Sequence, residues 1–269
     1  MSDAVTVTDP ADPRLDDFRD LKRADRRPDR PGGRGLVIAE GTVVVRRMIE
    51  SDYRIRSLLG VPRRWDELAD DLTGVTAPFY VTDADTMART VGFHLNRGVL
   101  AVADRVRFPA AAPLLAASRR VAVLEGVGDH ENLGAIFRNA AALGMDAVLL
   151  ADGCADPLYR RSVRVSMGTV LRMPFTALPP VAGGGADLLH AAGFRIVALT
   201  PSARATPLAE AALASGDRTA VLLGSEGPGL ADATMRAADL LVRIPMAPGV
   251  DSLNVATAGA IAFAALGGV

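Results

Sequence analysis

Four runs in the second half of the chain, "VAVLEGV" (121–127), "DAVLLAD" (146–152), "FRIVALT" (194–200) and "TAVLLG" (219–224), are apolar almost without interruption. No other feature constrains the fold as much. A strand with one wet face alternates apolar and polar residues, whereas a strand covered on both faces does not. The runs therefore predict a parallel sheet with helices on both sides, and "LLVRIPM" (240–246) reads as a fifth strand. Ligands of such sheets gather at the carboxyl ends of the strands. Chemistry is thus to be sought in the loops after Val127, Thr200, Gly224 and Met246.

From Leu36, short apolar runs ("LVIAEG", "IRSLLGV", "APFYVTD", "GVLAVAD") alternate with helical ones ("TVVVRRMIES", "RRWDELADDL", "ADTMARTVG"). That alternation predicts a small α/β domain over residues 34–104. Residues 1–33, dense in charge and punctuated by Pro28, Pro31 and a glycine pair, read as a flexible arm, either a solvated leader or a grip on RNA. Residues 105–120, "RVRFPAAAPLLAASRR", read as a linker, and 121–269 as the second α/β domain. A chain of 269 residues, 49% of them hydrophobic, is long enough to give two domains a core each.

Bulk properties exclude several classes. The single Cys154 rules out an internal disulfide framework, and three scattered histidines (His94, His130, His190) predict no metal site. The acidic, proline-broken start lacks the basic and then apolar regions of a signal peptide. The longest apolar run, Val255 to Leu266, is shorter than the roughly 18 residues of a membrane span. A soluble, cytoplasmic protein is expected. A net charge of −1 gives no support to a nucleic-acid partner. Lys22 is the lone lysine; the arginines suit bidentate phosphate contacts, although codon bias gives the same usage.

The loops carry three motifs. "GVGDHENLG" (126–134) imitates a dinucleotide fingerprint, but its third glycine, Gly134, comes three residues late and Glu131 stands where a glycine is required. A nicotinamide-dependent oxidoreductase is therefore a distant reading. "ENLGAIFRNAAALG" (131–144) reads as a helix beginning near Leu133, with Leu133, Ile136, Phe137, Ala140 and Leu143 facing the sheet. Arg138 points the other way and leans over Gly134 toward Asn132, which predicts a fixed cation and an amide together at the strand ends. Ala135 and Ala142 make that outer face apolar, as if something covered it. "LLGSEGPGL" (222–230) holds three glycines around Glu226 but no lysine to cradle a phosphate, so a nucleoside without phosphates fits it better. "RIPMAPGVDSLNVATAGAIAFAAL" (243–266) gives a strand, a loop and a helix with Asp251 or Ser252 as cap. That helix is apolar all round and rich in small residues, which predicts burial on every side, either in the core or at a subunit interface.

Together the three stretches resemble the SpoU (TrmH) family of RNA ribose 2′-O-methyltransferases in the SPOUT superfamily. The likeness covers residues 121–269, including "RRSVRVSMG" (160–168). More loosely, residues 34–104, with "IAEG" and "HLNRGVLAV", resemble the ribosomal-protein-like RNA-recognition domain of ribosomal-RNA members. The resemblance implies a homodimer, a carboxyl-terminal SPOUT-type parallel sheet with a trefoil knot, and S-adenosyl-L-methionine as cofactor. It implies catalytic roles for Asn132, Arg138, Glu226, Ser252 and Asn254, with Asn132 and Arg138 ordering the target ribose and phosphate. Thr200, Gly224, Ile244, Met246 and Leu253 would contact the cofactor. Arg160, Arg161 and Arg164, at helical spacing, are expected to contact RNA phosphates. Ribosomal RNA is favoured over transfer RNA; a non-catalytic RNA-binding or ribosome-assembly protein on the same scaffold is the rival from another class.

Overall fold

The computed structural model describes residues 4–21, 35–106, 108–213 and 216–267. It divides into two compact units: residues 1–106 with 156–172, and residues 107–155 with 173–269.

The first unit is built on a five-stranded mixed sheet. Its elements are β1 (Ala4–Thr6), β2 (Leu36–Glu40), α1 (Thr42–Ile49), β3 (Ile55–Gly60), α2 (Pro62–Glu67), β4 (Phe79–Val81), α3 (Ala84–Val91) and β5 (Val99–Asp104), with strand order β1-β4-β3-β5-β2. The seven runs read from Leu36 onward all appear. Residues 4–21 correct the expectation of an arm. β1 pairs in parallel with β4, and a 3-10 helix over Pro13–Phe18 sets Leu15 and Phe18 in the core beside Leu59, Met87 and Leu100. Burial of these single apolar residues outweighs the charge between them. Pro28, Pro31 and the glycine pair lie outside the described residues.

The second unit carries a seven-stranded sheet, parallel throughout. In chain order it comprises α4 (Ala111–Ala117), β6 (Arg120–Leu124), α5 (His130–Ala142), β7 (Ala147–Leu150), then, after α6 (Arg160–Val165) of the first unit, β8 (Phe175–Ala177), α7 (Gly185–Ala191), β9 (Arg195–Leu199), β10 (Thr206–Pro207), α8 (Leu208–Leu213), β11 (Thr219–Leu223), α9 (Asp232–Ala237), β12 (Leu240–Arg243) and α10 (Val255–Leu266). The strand order is β10-β12-β9-β11-β6-β7-β8. All five expected strands are present, and Val121, Val123, Leu149, Ile196 and Leu222 are buried as two-sided coverage requires. The short edge strands β8 and β10 had no such run to mark them. Helix α4 lies inside the stretch read as a linker. Among the described residues no helix is long and apolar enough to cross a membrane.

Charge pairing ties residues 156–172 to the first unit. Glu40 is 5% exposed at the end of β2, and a carboxylate there needs a counter-charge. Arg160 Nη1 supplies it at 2.8 Å, with Arg164 Nη1 at 3.8 Å. Arg105 grips Asp156 with two parallel hydrogen bonds of 2.7 and 2.8 Å, the fork geometry in which arginine pairs best with carboxylate.

Candidate active site

The site assembles at the carboxyl ends of the second sheet, from the start of α5, the loop after β11 and the loop that leads into α10. Helix α5 is capped by Asp129, whose carboxylate accepts from the N–H groups of Glu131 and Asn132, both at 2.9 Å. The helix thus starts at His130, a turn earlier than the reading from Leu133, and Asn132 sits in its first turn. Of the expected apolar stripe, Leu133, Ile136, Phe137 and Ala140 are fully buried, whereas Leu143, at the C-cap, is half-buried. Arg138 is exposed on the opposite face, and Gly134 is buried rather than lying open beneath it.

The loop after β11 turns back on itself. Gly229 N–H donates to Ser225 O at 3.1 Å, and Ser225 Oγ donates to Gly229 O at 3.3 Å. A Cβ on Gly224 would stand 2.3 Å from both Gly229 C and Leu230 N, so only glycine allows this closure. The far end of the loop is tied by Glu125, whose carboxylate accepts from Ala231 N–H at 2.9 Å and Thr234 Oγ at 2.6 Å. Glu125 escaped the sequence reading; its signal was a carboxylate ending the apolar run "VAVL".

Helix α10 is capped by Asn254, not by Asp251 or Ser252. Its Oδ1 accepts from the N–H groups of Ala256 and Thr257 at 3.0 and 3.2 Å. Its amide nitrogen donates to Asn132 Oδ1 and to Glu226 Oε1, each at 2.7 Å. The first turn of α5, the loop after β11 and the cap of α10, far apart in sequence, thus meet at one amide. Below them lies a cavity of about 600 Å³ lined by Thr200, Gly224, Glu226, Ile244, Met246, Ser252, Leu253 and Asn254. One further tie went unread: Asn139 Nδ2 donates to Ala256 O at 3.0 Å, fixing the first turn of α10 against α5.

Eight of the ten residues expected at the catalytic and cofactor sites line this cavity, and Asn132 joins them through Asn254. Arg138 does not line it. Among the lining residues Glu226 alone is ionisable, and the walls are otherwise apolar side chains, small polar groups and glycine backbone. This lining has no cation to hold a phosphate, yet it tolerates a positive charge near Glu226. It suits a neutral nucleoside carrying a cationic arm. No cluster of three His, Cys, Asp or Glu able to hold a metal occurs among the described residues.

The three arginines expected on RNA phosphates all lie on α6, in the first unit. Arg160 and Arg164 lie in the first unit against Glu40, and Arg160 also stacks 4.8 Å from the Phe93 ring centroid. Arg161, on the same short helix, is exposed. Arg160→Ala is expected to destabilise the protein by about 3 kcal/mol, because it strips a buried carboxylate of its nearer partner. Urea unfolding checks this, and an unchanged midpoint would mean that Glu40 needs no such partner.

Residues 119–264 match the family model described as the SpoU rRNA Methylase family. An uncharacterized tRNA/rRNA methyltransferase of Mycobacterium tuberculosis is 58% identical over 264 residues, 97% of this chain and 91% of that protein. A Bacillus subtilis 23S rRNA (guanosine(2553)-2′-O)-methyltransferase is 34% identical over 149 residues, 55% of this chain and 57% of the relative. Among solved structures, the AdoMet-bound rRNA methyltransferase from Sinorhizobium meliloti superposes with a TM-score of 0.81 at 23% identity, covering 98% of this chain and 97% of that one.

Proposed function

Because this chain belongs to the SpoU rRNA methylase family, we propose that it is an S-adenosyl-L-methionine-dependent RNA ribose 2′-O-methyltransferase acting on ribosomal RNA. The observation that carries the reading is the junction of Asn132, Glu226 and Asn254 above an apolar cavity whose ionisable group is a carboxylate. The cofactor supplies an electrophilic methyl group on a sulfonium. Thr200, Gly224, Ile244, Met246 and Leu253 would hold its nucleoside and chain, largely through backbone groups and apolar contact. Asn132 and Glu226 stand at the rim, where a ribose would enter. In-line transfer requires that nucleophile and acceptor be held in one orientation, and no metal is needed for it.

The Bacillus subtilis relative, a 23S rRNA 2′-O-methyltransferase by name, supports both the position methylated and the RNA class. The Mycobacterium relative's name covers tRNA as well, which keeps a tRNA ribose methyltransferase as the second reading. A non-catalytic RNA-binding protein would have no use for the cavity. The test is transfer of radiolabelled methyl groups to total RNA, followed by fractionation and nucleoside mapping. A 2′-O-methylated nucleoside in ribosomal RNA is expected; label in tRNA alone would move the assignment to the second reading, and no label would overturn the enzyme.

We propose further that the protein is a cytoplasmic homodimer and that its tail threads a trefoil knot, the return of α10 against α5 fitting such a path. Support for the dimer comes from α10. Val255, Ala256, Gly259, Ala262, Phe263 and Leu266 are buried, but Ile261, Ala264 and Ala265 are exposed, as are Ala141 and Ala142 of α5, the helix α10 packs against. The all-round burial expected of this helix thus fails within one chain, and a second copy would supply the missing cover. Ile261→Asp is expected to sediment at the mass of a monomer while the unaltered protein sediments at twice that mass. An unaltered protein at monomer mass would overturn the dimer.

A further inference from the structure

The hydrogen-bond polarity of the site is set by a helix cap. The backbone N–H groups of Ala256 and Thr257 can only donate, and they point at Asn254 Oδ1. A carboxylate can only accept, and Glu226 Oε1 lies 2.7 Å from the other end of that amide. Asn254 therefore has one orientation, with its oxygen to the helix and its nitrogen to the site. Its second amide hydrogen goes to Asn132, which must present Oδ1 to receive it. Two ends are left over, the N–H pair of Asn132 Nδ2 and the lone pairs of Glu226 Oε2. A donor and an acceptor at the rim of one cavity match a sugar hydroxyl, which takes one hydrogen bond and gives another.

We propose that Asn254 is a positioning residue that imposes this polarity from the cap of α10, and that Glu226 Oε2 accepts first the hydrogen bond and then the proton of the ribose hydroxyl. The proposal rests on the methyltransferase reading. One lone pair of the hydroxyl oxygen forms the new bond to carbon while the other accepts from Asn132 Nδ2. The O–H bond breaks toward Glu226, and the pair of the broken carbon–sulfur bond stays on sulfur. The sulfonium loses its positive charge as the carboxylate loses its negative one, so the site passes from an ion pair to a neutral state.

Asn254→Asp tests it in the full chain. Asp caps a helix as well as Asn, so the start of α10 is kept. The cap oxygen is also kept, but the donor becomes a carboxylate facing Glu226. Like charges at that distance force the pair to share a proton, with one apparent pKa raised. At about pH 8 methyl transfer is expected to fall by about 100-fold, and it should recover about tenfold toward pH 6, where the shared proton restores a donor; the unaltered protein should show no such rise. A raised folded-state carboxyl pKa destabilises the variant as pH rises through it, so its melting temperature should fall further below that of the unaltered protein at about pH 8 than at about pH 5. Asn254→Ser keeps a cap but has no titrating group, and should lose activity without recovering it. If Asn254→Asp keeps the rate and pH profile of the unaltered protein, or if both variants show the same flat profile, the polarity assignment is overturned. If the unaltered protein transfers no methyl group, the functional reading fails, and the melting-temperature pattern still decides the assignment.

Discussion

Alanine at position 138 is expected to lower methyl transfer by about 10²- to 10³-fold, the scale lost when one stabiliser of transition-state charge is removed. Affinity for S-adenosyl-L-methionine should not change, because Arg138 does not line the cavity. Stability should hold too, since the side chain is exposed on the outer face of α5, six residues beyond Asn132. An arginine keeps its proton at any working pH, so it is a poor candidate to remove one. Its role in the proposed reaction is to hold a substrate phosphate and steady the developing alkoxide. Single-turnover methyl transfer and calorimetric titration of the cofactor separate these effects. Normal turnover would remove Arg138 from the reaction, and weakened cofactor binding would place it in the wrong subsite.

Gly224→Ala is expected to weaken S-adenosyl-L-methionine binding by about 100-fold or more. The new Cβ would stand 2.3 Å from backbone atoms of Gly229 and Leu230, and backbone cannot rotate away as a side-chain end can. The loop must open, losing the bond from Gly229 N–H to Ser225 O that shapes the cavity rim. Overpacking of this kind costs about 1 to 3 kcal/mol of stability, a loss that thermal unfolding reads separately. Gly227→Ala is the control. Its Cβ would meet nothing within 4 Å, and its φ of +87° costs about 1 kcal/mol with any other residue. Equal cofactor affinity in the two variants would show that loop closure does not form the site.

The longer strands of both sheets were legible because their signal is local, whereas the short edge strands β1, β8 and β10 carried none. A run such as "TAVLLG" states by itself that both faces are covered. The caps were less legible. Ser252, Asp251 and Asn254 are all good cap residues within four positions, and the choice of Asn254 depends on its bonds to Asn132 and Glu226, which lie 122 and 28 residues away. The same non-locality hid the place of Arg160, whose partner Glu40 is 120 residues earlier. The start of the chain misled because Leu15, Phe18 and Leu21 are isolated among charges, and their burial comes from a sheet formed by distant strands. Of the site, the motifs marked the lining residues and Asn132 but not the ties made by Glu125 and Asn139, and the meeting at one amide followed only from the fold.

The connectivity of the two units limits how they can be taken apart. The chain leaves the first for the second after residue 106, returns at 156 and leaves again after 172. No single cleavage therefore yields two intact pieces. A shortened protein starting after residue 106 would still carry Arg160 and Arg164, stripped of the Glu40 carboxylate that neutralises them. Dissection, whether by a protease or by gene fusion in the course of evolution, would have to treat residues 156–172 as cargo of the half from which they are distant in sequence.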